Sequence, residues 1–447
     1  MGMLVGRTRW VALFTIIMLL AAVPAVTTTV KARAAESTSP RTAVLGPGVS
    51  NDLASLDPAT PYGLFVHFSK SGWQNRAATL AAHDLSVTGN FHTVSTVYAQ
   101  GTVANLSALV TAPGVLYLEK NRELSYLGDT SGWATRSKVA QESAAGGPYR
   151  VSAGHVLDGS GVGVAVVDSG IWGEHPDLKN RIVKNFKIVC TTPGLINTTT
   201  GQCFGPTEVV EASDTDTTGG HGTHVSGIVA GDGTASKGTY KGTAPGASLF
   251  GFGTGEGLNV FTTAEAFQYI VNHYNELTPR IRVVTNSWGD PAGTPYNANS
   301  ITSQLTRALV AKGVTVLFAA GNGSQTEGGG DGSKDMTSST SKDPTPGVIS
   351  VANYDDTDTG SRSSALDSSS SRGKNGDFAT YPDVSAPGAN IISTCVAVKP
   401  VCHAGRVDVP PRWAPYYYEL SGTSMATPHV AGVVALLLQA RPDLTPA

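Results

Sequence analysis

The sequence predicts an α/β protein with a central parallel sheet, preceded by a small α+β unit. In the longer second region, short apolar and β-branched runs alternate with helical patterns. Such runs are typical of parallel strands buried on both faces, and their alternation with helices favours a sheet covered by helices. The predicted strands are 162–167, 283–284, 314–318 and 348–351, and the predicted helices are 224–230, 263–274, 303–311 and 424–439. Two Gly/Ser-rich insertions, 324–342 and 355–377, predict surface loops.

The first region is a compact unit at 61–127. Its strand patterns lie at 64–68, 91–98 and 115–118, and its helical patterns lie at 76–85 and 103–110. A domain of about 65 residues buries only about 60% of the surface of its unfolded chain, so we expect it to need a partner surface. The preceding segment, 35–60, is rich in Ser, Thr, Pro and Gly, which predicts a flexible linker.

Composition limits the class of protein. The chain has 447 residues, of which 15% are charged, and its net charge is −3. This balance gives no broad basic surface, so we expect no nucleic-acid partner. A hydrophobic content of 40% excludes wholesale disorder.

The first 34 residues (1–34) have the pattern of a secretory signal peptide. Arg7 and Arg9 precede an apolar run at 10–23, and the small residues Ala32 and Ala34 offer a cleavage site, with a second site at 23–25. The alternative is an uncleaved membrane anchor, but the run is shorter than the roughly 20 residues that span a bilayer. The pattern predicts a secreted chain with no stable membrane span.

The four cysteines fall into two local pairs. Cys190 is close in sequence to Cys203, and Cys395 is close to Cys402. Because an exported chain meets an oxidising environment, we predict two short-range disulfides. Four free thiols or another pairing remain open, and no Cys-x-x-Cys spacing supports zinc.

Peptide hydrolysis by a hydroxyl needs a nucleophile, a base, a group that orients the base, and donors for the oxyanion. Asp168 ends an apolar run, at the edge of a parallel sheet where functional sites gather. His221 lies in a glycine-rich stretch at a helix start, with His224 three residues later. A turn-forming Asp168 and a metal site made by the two histidines are alternatives, although no HExxH pattern supports the metal. We expect His224 to be a packed helix residue.

Two further segments offer the oxyanion donor and the nucleophile. Asn322 follows a predicted strand within Ala-Ala-Gly-Asn-Gly, where its amide can donate to an oxyanion or simply form a turn. Ser424 follows Gly422 and opens a long apolar helix. It can serve as an N-cap, but a helix N-terminus also stabilises negative charge and leaves the backbone N–H of Ser424 free.

Together these motifs resemble those of the subtilisin-like serine protease (subtilase) family. The matching stretches are VGVAVVDSGI, GGHGTHVSG, VTVLFAAGNG and GTSMATPHVAG, and the resemblance covers about 149–447. It implies a three-layer α/β peptidase domain, which we assign to 128–447. It also implies that Ser424 is the nucleophile, His221 the general base and then acid, and Asp168 the orienting carboxylate. Asn322 would donate to the oxyanion beside the amide of Ser424.

The resemblance extends to substrate binding and to the small unit. An extended peptide would add as a β-strand between two segments, 286–289 and the S1 wall at 319–321, and the residues expected to bind it are Ser287, Trp288, Gly289, Ala320 and Gly321. The unit at 61–127 resembles the subtilisin prodomain, which implies a folding assistant and intramolecular inhibitor released by self-cleavage near Leu127. An unrelated α+β domain is the alternative.

Three departures from the family pattern affect these expectations. The loop 232–241 lacks the Asn-containing calcium loop of many relatives, although Asp177 occupies a position that is often a ligand, so structural calcium stays open. The chemistry itself needs no cofactor or metal. The insertion 324–342 falls where the family builds the floor of its S1 pocket, so the P1 preference stays open. The chain ends at Ala447, earlier than is usual in the family, so we expect a C-terminally truncated domain.

The leading hypothesis is a secreted serine endopeptidase that acts on polypeptides and is made as a self-processing precursor. A catalytically silent binding protein with the subtilase fold is the first alternative. A metal-dependent hydrolase that uses His221 and His224 is the second. Since the base must be deprotonated, the first hypothesis predicts a rate that rises near about pH 6 to 7 for an ordinary histidine.

Overall fold

The computed structural model describes residues 42–46, 48–121, 130–142, 156–197, 203, 205–216, 219–254, 258–324, 326–362, 364–396, 399, 401–403 and 415–447. The chain forms two compact units, Met1–Leu124 and Ser125–Ala447, each with its own hydrophobic core. The predicted signal peptide at 1–34 and the predicted processing site near Leu127 lie outside the described residues.

The first unit is an α+β domain, as predicted. Its elements are β1 (Val44–Leu45), α1 (Val49–Ser55), β2 (Pro61–Phe68), α2 (Lys70–Ala81), β3 (Ser86–Phe91), β4 (Thr96–Thr102), α3 (Val103–Ala108) and β5 (Val115–Lys120). The strands form one sheet in the order β1-β5-β2-β4-β3. Only the pairing of β1 with β5 is parallel, and the other strand pairs are antiparallel.

The predicted linker at 35–60 is wrong over much of its described part. Val44 and Leu45 pair with β5, and α1 begins at the fully buried Val49. The polar composition of this stretch suggested a linker, but two buried residues, Ala43 and Val49, join it to the core of the unit. A few apolar side chains are sufficient because backbone pairing supplies the other contacts.

The second unit is built on an eight-stranded sheet. Its elements are α4 (Ser131–Ala134), α5 (Ser137–Glu142), β6 (Gly163–Asp168), β7 (Ile182–Cys190), β8 (Thr207–Glu211), α6 (His221–Ala230), β9 (Ser248–Gly253), α7 (Val260–Asn272), β10 (Ile281–Asn286), α8 (Ile301–Ala311), β11 (Thr315–Ala319), β12 (Val348–Tyr354), β13 (Val384–Pro387), β14 (Ile391–Thr394), β15 (Tyr417–Leu420) and α9 (Thr423–Ala440). The sheet order is β13-β12-β11-β10-β6-β9-β7-β8, and all neighbours are parallel except β7 and β8. The strands β14 and β15 form a separate antiparallel pair.

Alternating side chains of the strands bury two different cores, which makes the unit a three-layer α/β fold. On β6, Val164 and Val166 face a core shared with α6 and α9. Ala165 and Val167 face the other core, shared with α7 and α8. Because both faces are covered, the strands are uninterrupted apolar runs, as the sequence predicted. Among the described residues α9 alone is long and apolar enough to cross a membrane, and most of it is buried as a core helix.

The predicted surface loops are wrong in part. In the loop 324–342, Thr337 and Ser338 are buried, and the N–H of Ser338 donates to the carbonyl of Ala320 at 3.0 Å. In the loop 355–377, the fully buried Ser371 donates its N–H to the carbonyl of Gly321 at 2.9 Å. Small hydroxylated side chains can be buried when backbone partners are close. Both insertions therefore support the end of β11.

The two predicted disulfides are both present. Cys190 bonds Cys203 beside the edge strand β8, and Cys395 bonds Cys402 in the connection after β14. No described cysteine is free.

Candidate active site

The carboxylate of Asp168 and the imidazole of His221 form the first part of the site. Asp168 is 2% exposed at the carboxyl end of β6, and its Oδ1 atom accepts a hydrogen bond of 2.7 Å from His221 Nδ1. The N–H of Ser169 donates to the same oxygen at 2.7 Å. At Gly222 an added Cβ would lie 2.3 Å from the carbonyl oxygen of Gly170, so only glycine lets α6 approach β6 this closely. The contact fixes the tautomer of His221, which leaves Nε2 as the acceptor.

The surroundings of His221 raise the pKa of its imidazole. Burial acts against the charged form, but the charge of Asp168, the hydrogen bond that His221 donates to it and the charge of Asp216 outweigh that effect. The side chain keeps 27% of its surface exposed, so it remains open to the cleft. The group can therefore accept a proton and be stabilised in the charged form.

Ser424 lies in the first turn of α9. Its N-cap, Gly422, has a φ of +146° and no side chain to cap the helix, and the N–H of the first helical residue, Thr423, donates to Asn322 instead. The Ser424 hydroxyl donates to the carbonyl of Ser287 at 3.0 Å, while the Ser287 hydroxyl donates to the carbonyl of Ser424 at 2.8 Å. This reciprocal pair ties α9 to the end of β10. Among the described residues the Ser424 hydroxyl makes no hydrogen bond to His221.

Asn322 follows β11 and has a fixed amide orientation. Its Oδ1 atom accepts hydrogen bonds of 2.9 Å from both the N–H and the hydroxyl of Thr423. A backbone N–H requires an oxygen as its partner, so the Nδ2 group must point the other way. The residue is exposed at the cleft, where Nδ2 can donate to a bound group.

These four residues line one cleft of about 440 Å³. Four of the five residues predicted to bind substrate also line it, namely Ser287, Trp288, Gly289 and Gly321. Ala320 lies behind the wall, because it is fully buried, its N–H donates to Val351 and its carbonyl accepts from Ser338. The side chain of Trp288 is held from behind by a 2.9 Å hydrogen bond from its indole N–H to the carbonyl of Val167.

Sequence reasoning missed five residues that line the cleft, namely Ser169, Leu258, Asp290, Val401 and Thr423. Ser169, Asp290 and Thr423 are each adjacent to a predicted site residue, so the neighbouring motif could have indicated them. Leu258 and Val401 carry no local signal. Val401 lies in the segment closed by the Cys395–Cys402 disulfide, which brings this residue to the cleft.

Asp177 occupies the position of a possible calcium ligand. Both carboxylate oxygens of the buried Asp177 accept hydrogen bonds, one of 2.7 Å from the N–H of Ala235 and one of 2.5 Å from the Tyr417 hydroxyl. Burial raises the pKa of this carboxyl. Both carboxylate oxygens of Asp177 are therefore bonded to donors within the protein. Within the described part of the chain, no group of three or more acidic, His or Cys residues is arranged to hold a metal.

His224 does not join His221 as a second ligand. It is fully buried in α6, where burial lowers its pKa to about 3 and its Nε2 donates to the carbonyl of Tyr418 at 3.0 Å. The imidazole is a neutral, packed group, as expected from its position in the helix.

The chain is similar to several known proteins. The Subtilase family matches residues 159–447. Serine protease AprX of Bacillus subtilis (strain 168) is 33% identical over 365 residues, which covers 80% of this chain and 72% of the relative. The major intracellular serine protease of the same organism is 31% identical over 285 residues, covering 63% and 69%. Among solved structures, Sphericase is 28% identical with a TM-score of 0.45, covering 65% of this chain and 80% of that one.

The chain therefore belongs to the subtilase family. It is a subtilisin-like serine-type endopeptidase, an enzyme class whose chemistry requires no cofactor.

Proposed function

We propose that the protein hydrolyses polypeptides through Ser424, His221 and Asp168. The observation that carries this proposal is the 2.7 Å contact between Asp168 Oδ1 and His221 Nδ1 in the cleft that Ser424 also lines. With Nδ1–H held by the carboxylate, Nε2 of His221 takes the proton of the Ser424 hydroxyl as its oxygen attacks the substrate carbonyl. The imidazolium then returns the proton to the leaving amine. Water, deprotonated by the same nitrogen, releases the acyl group from Ser424.

The negative oxygen that forms on the substrate carbonyl has two proposed donors. One is Nδ2 of Asn322, whose direction is fixed by the two hydrogen bonds that Oδ1 accepts from Thr423. The other is the N–H of Ser424, in the first turn of α9, where a helix leaves its amides unpaired. Donors that are oriented before reaction stabilise the transition state without reorganising.

The substrate is proposed to lie in the cleft as an extended chain. Gly289 and Gly321 line its walls, where a peptide strand would pair with the backbone. Behind the wall, Trp288 packs edge-on against Phe318 with ring centroids 5.4 Å apart. This packing fixes the position of Trp288, so this wall of the cleft should change little when a peptide binds.

The protein is further proposed to be a secreted, self-processing precursor. The amino-terminal pattern at 1–34 and the two disulfides both favour export. A relative is named as intracellular, so family membership alone does not decide the compartment. The first unit, 61–127 together with the preceding 42–60, is proposed to act as the intramolecular inhibitor until it is cleaved near Leu127.

A catalytically silent binding protein is the second candidate. It is favoured by one observation, the hydrogen bond of the Ser424 hydroxyl to the Ser287 carbonyl rather than to His221. Hydrolysis requires the hydroxyl to exchange that partner for Nε2 of His221.

Expression of the whole precursor separates the two candidates. The enzyme should release a product whose new N-terminus lies near residue 128, and the Ser424→Ala precursor should stay intact. An intact wild-type precursor that is folded and hydrolyses no casein would support the silent protein instead.

A further inference from the structure

Asp216 is a buried carboxylate beside the active site, and it has no role in the proposed reaction. It is 0% exposed and lies five residues before His221. Its Oδ1 atom accepts from the N–H of Gly220 at 2.8 Å, from the N–H of Gly219 at 3.3 Å and from the Ser169 hydroxyl at 3.3 Å. Its Oδ2 atom accepts from the hydroxyl of Thr223. A buried carboxylate with this many donors is costly to disturb.

The hydrogen-bond partners of the Asp216 carboxylate all lie near the start of α6 or just after β6. The N-cap of α6, Gly220, has no side chain to cap the helix, and its φ is +86°. Asp216 binds the N–H groups of Gly219 and Gly220, just before the first helical residue, and the hydroxyl of Thr223 within the first turn. Ser169 supplies the cap from outside the helix, because its hydroxyl accepts from the N–H of Gly222 at 3.0 Å while donating to Asp216. Ser169 follows Asp168 directly. One hydrogen-bond network therefore joins the end of β6, which holds Asp168, to the start of α6, which holds His221.

Besides Asp168, four ionisable groups lie in α6 or in the contacts just before it, namely Asp216, His224, Lys399 and Asp214. Asp216 stands next to the first turn of α6, and its charge raises the pKa of the imidazole. His224, in the same helix, is neutral, because burial lowers its pKa to about 3. Lys399 bonds the backbone carbonyl of Asp216 and lies 3.9 Å from the carboxylate of Asp214. Asp214 is 38% exposed on its side chain and is therefore better screened than Asp216.

We propose that Asp216 is a positioning residue for His221, which holds the first turn of α6 against the end of β6 through Ser169 and adds a second negative charge beside the imidazole. This inference rests on the proposed function of His221 as general base. Asp216 acts only through that histidine and does not touch the substrate.

The test compares Asp216→Asn with Asp214→Asn, which removes the same charge two residues away. Both are measured in the full chain as kcat/KM on a peptide substrate from pH 5 to 10, normalised to active sites titrated with a fluorophosphonate. Loss of a nearby negative charge lowers the pKa of His221, so the midpoint of the acid limb should fall by about half a pH unit in Asp216→Asn. The plateau of kcat/KM above the midpoint should fall about tenfold, because the imidazole is less well placed. Asp214→Asn should have the midpoint and the plateau of the wild type.

A purely structural role for Asp216 would reduce the fraction of titratable enzyme but leave the midpoint where it is. A wild-type midpoint in folded Asp216→Asn would therefore overturn the proposal. If Asp216→Asn does not fold, Ser169→Ala decides, since it keeps the charge but breaks the link: a loss of about tenfold supports the proposal and wild-type kcat/KM overturns it. An NMR titration of the His221 imidazole gives the same midpoints without turnover, so it still tests Asp216 if the wild type proves inactive and the proposed function fails.

Discussion

The disulfide between Cys395 and Cys402 offers a test of how the fold holds the site. The segment that it closes contacts the residues just before His221. The N–H of Val401 donates to the carbonyl of Gly219 at 3.1 Å, and Lys399 bonds the carbonyl of Asp216. At Gly220, an added Cβ would lie 2.8 Å from Sγ of Cys402. We expect removal of this disulfide to loosen the start of α6 and so to lower the activity of each folded molecule.

The second disulfide is a control of similar strength. The bridges span sequence separations of 7 for Cys395–Cys402 and 13 for Cys190–Cys203. The loop-closure relation then gives about 2.4 and about 2.9 kcal/mol of stabilisation at 25 °C. Cys190–Cys203 lies at the end of β7, beside the edge strand β8, and neither residue lines the cleft. The two double Cys→Ser variants should therefore lose similar stability but different activity.

The assay separates these two effects. Unfolding in urea should show comparable losses of free energy, within about 1 kcal/mol of each other. At a temperature where both variants are folded, kcat/KM per titrated active site should fall about tenfold for Cys395→Ser/Cys402→Ser and stay near wild type for Cys190→Ser/Cys203→Ser. Equal kcat/KM in the two variants would refute the reasoning that the first disulfide positions His221.

Three further outcomes follow from the site. Because the pKa of His221 is raised and its neutral form is the active base, the acid limb of kcat/KM should have its midpoint above the ordinary value of about 6.5; a midpoint below it would contradict the assigned surroundings. Asn322→Ala should lower kcat by about 100- to 1,000-fold with little change in KM, and an unchanged kcat would remove Asn322 from the oxyanion site. Tyr417→Phe deletes the donor to the buried Asp177 and should cost about 1 to 3 kcal/mol of unfolding free energy while kcat/KM is kept, as urea titration and kinetics would report. Wild-type stability of Tyr417→Phe would show that Asp177 finds another donor.

Much of the fold was predictable because burial on both faces leaves a direct mark on the sequence. The run 164–167 before Asp168 is apolar at every position and has no glycine, since alternate residues of β6 face two cores. The strand β9 has the same environment next to β6 but was not predicted, because Gly251 and Gly253 interrupt its apolar run. The small first unit was predicted in outline, while its extension to Ala43 depends on backbone pairing with β5, which leaves little trace in composition.

The site was predictable to the level of its motifs. Asp168 and His221 lie together because the end of β6 and the start of α6 meet at a glycine contact. The partner of the Ser424 hydroxyl was not predictable, since it depends on the carbonyl of Ser287, a residue 137 positions away. Asp216 was missed for a related reason, because its partners include Ser169, which becomes a neighbour only in the folded chain.

The identity of the nucleophile is tested most directly by locating a fluorophosphonate adduct by mass spectrometry. The adduct should lie on Ser424 in the folded wild-type protein, be absent from Ser424→Ala, and form at least about 1,000-fold more slowly in His221→Ala. An adduct on a different residue, or a labelling rate that does not depend on His221, would contradict the assignment of Ser424 as a nucleophile activated by that imidazole.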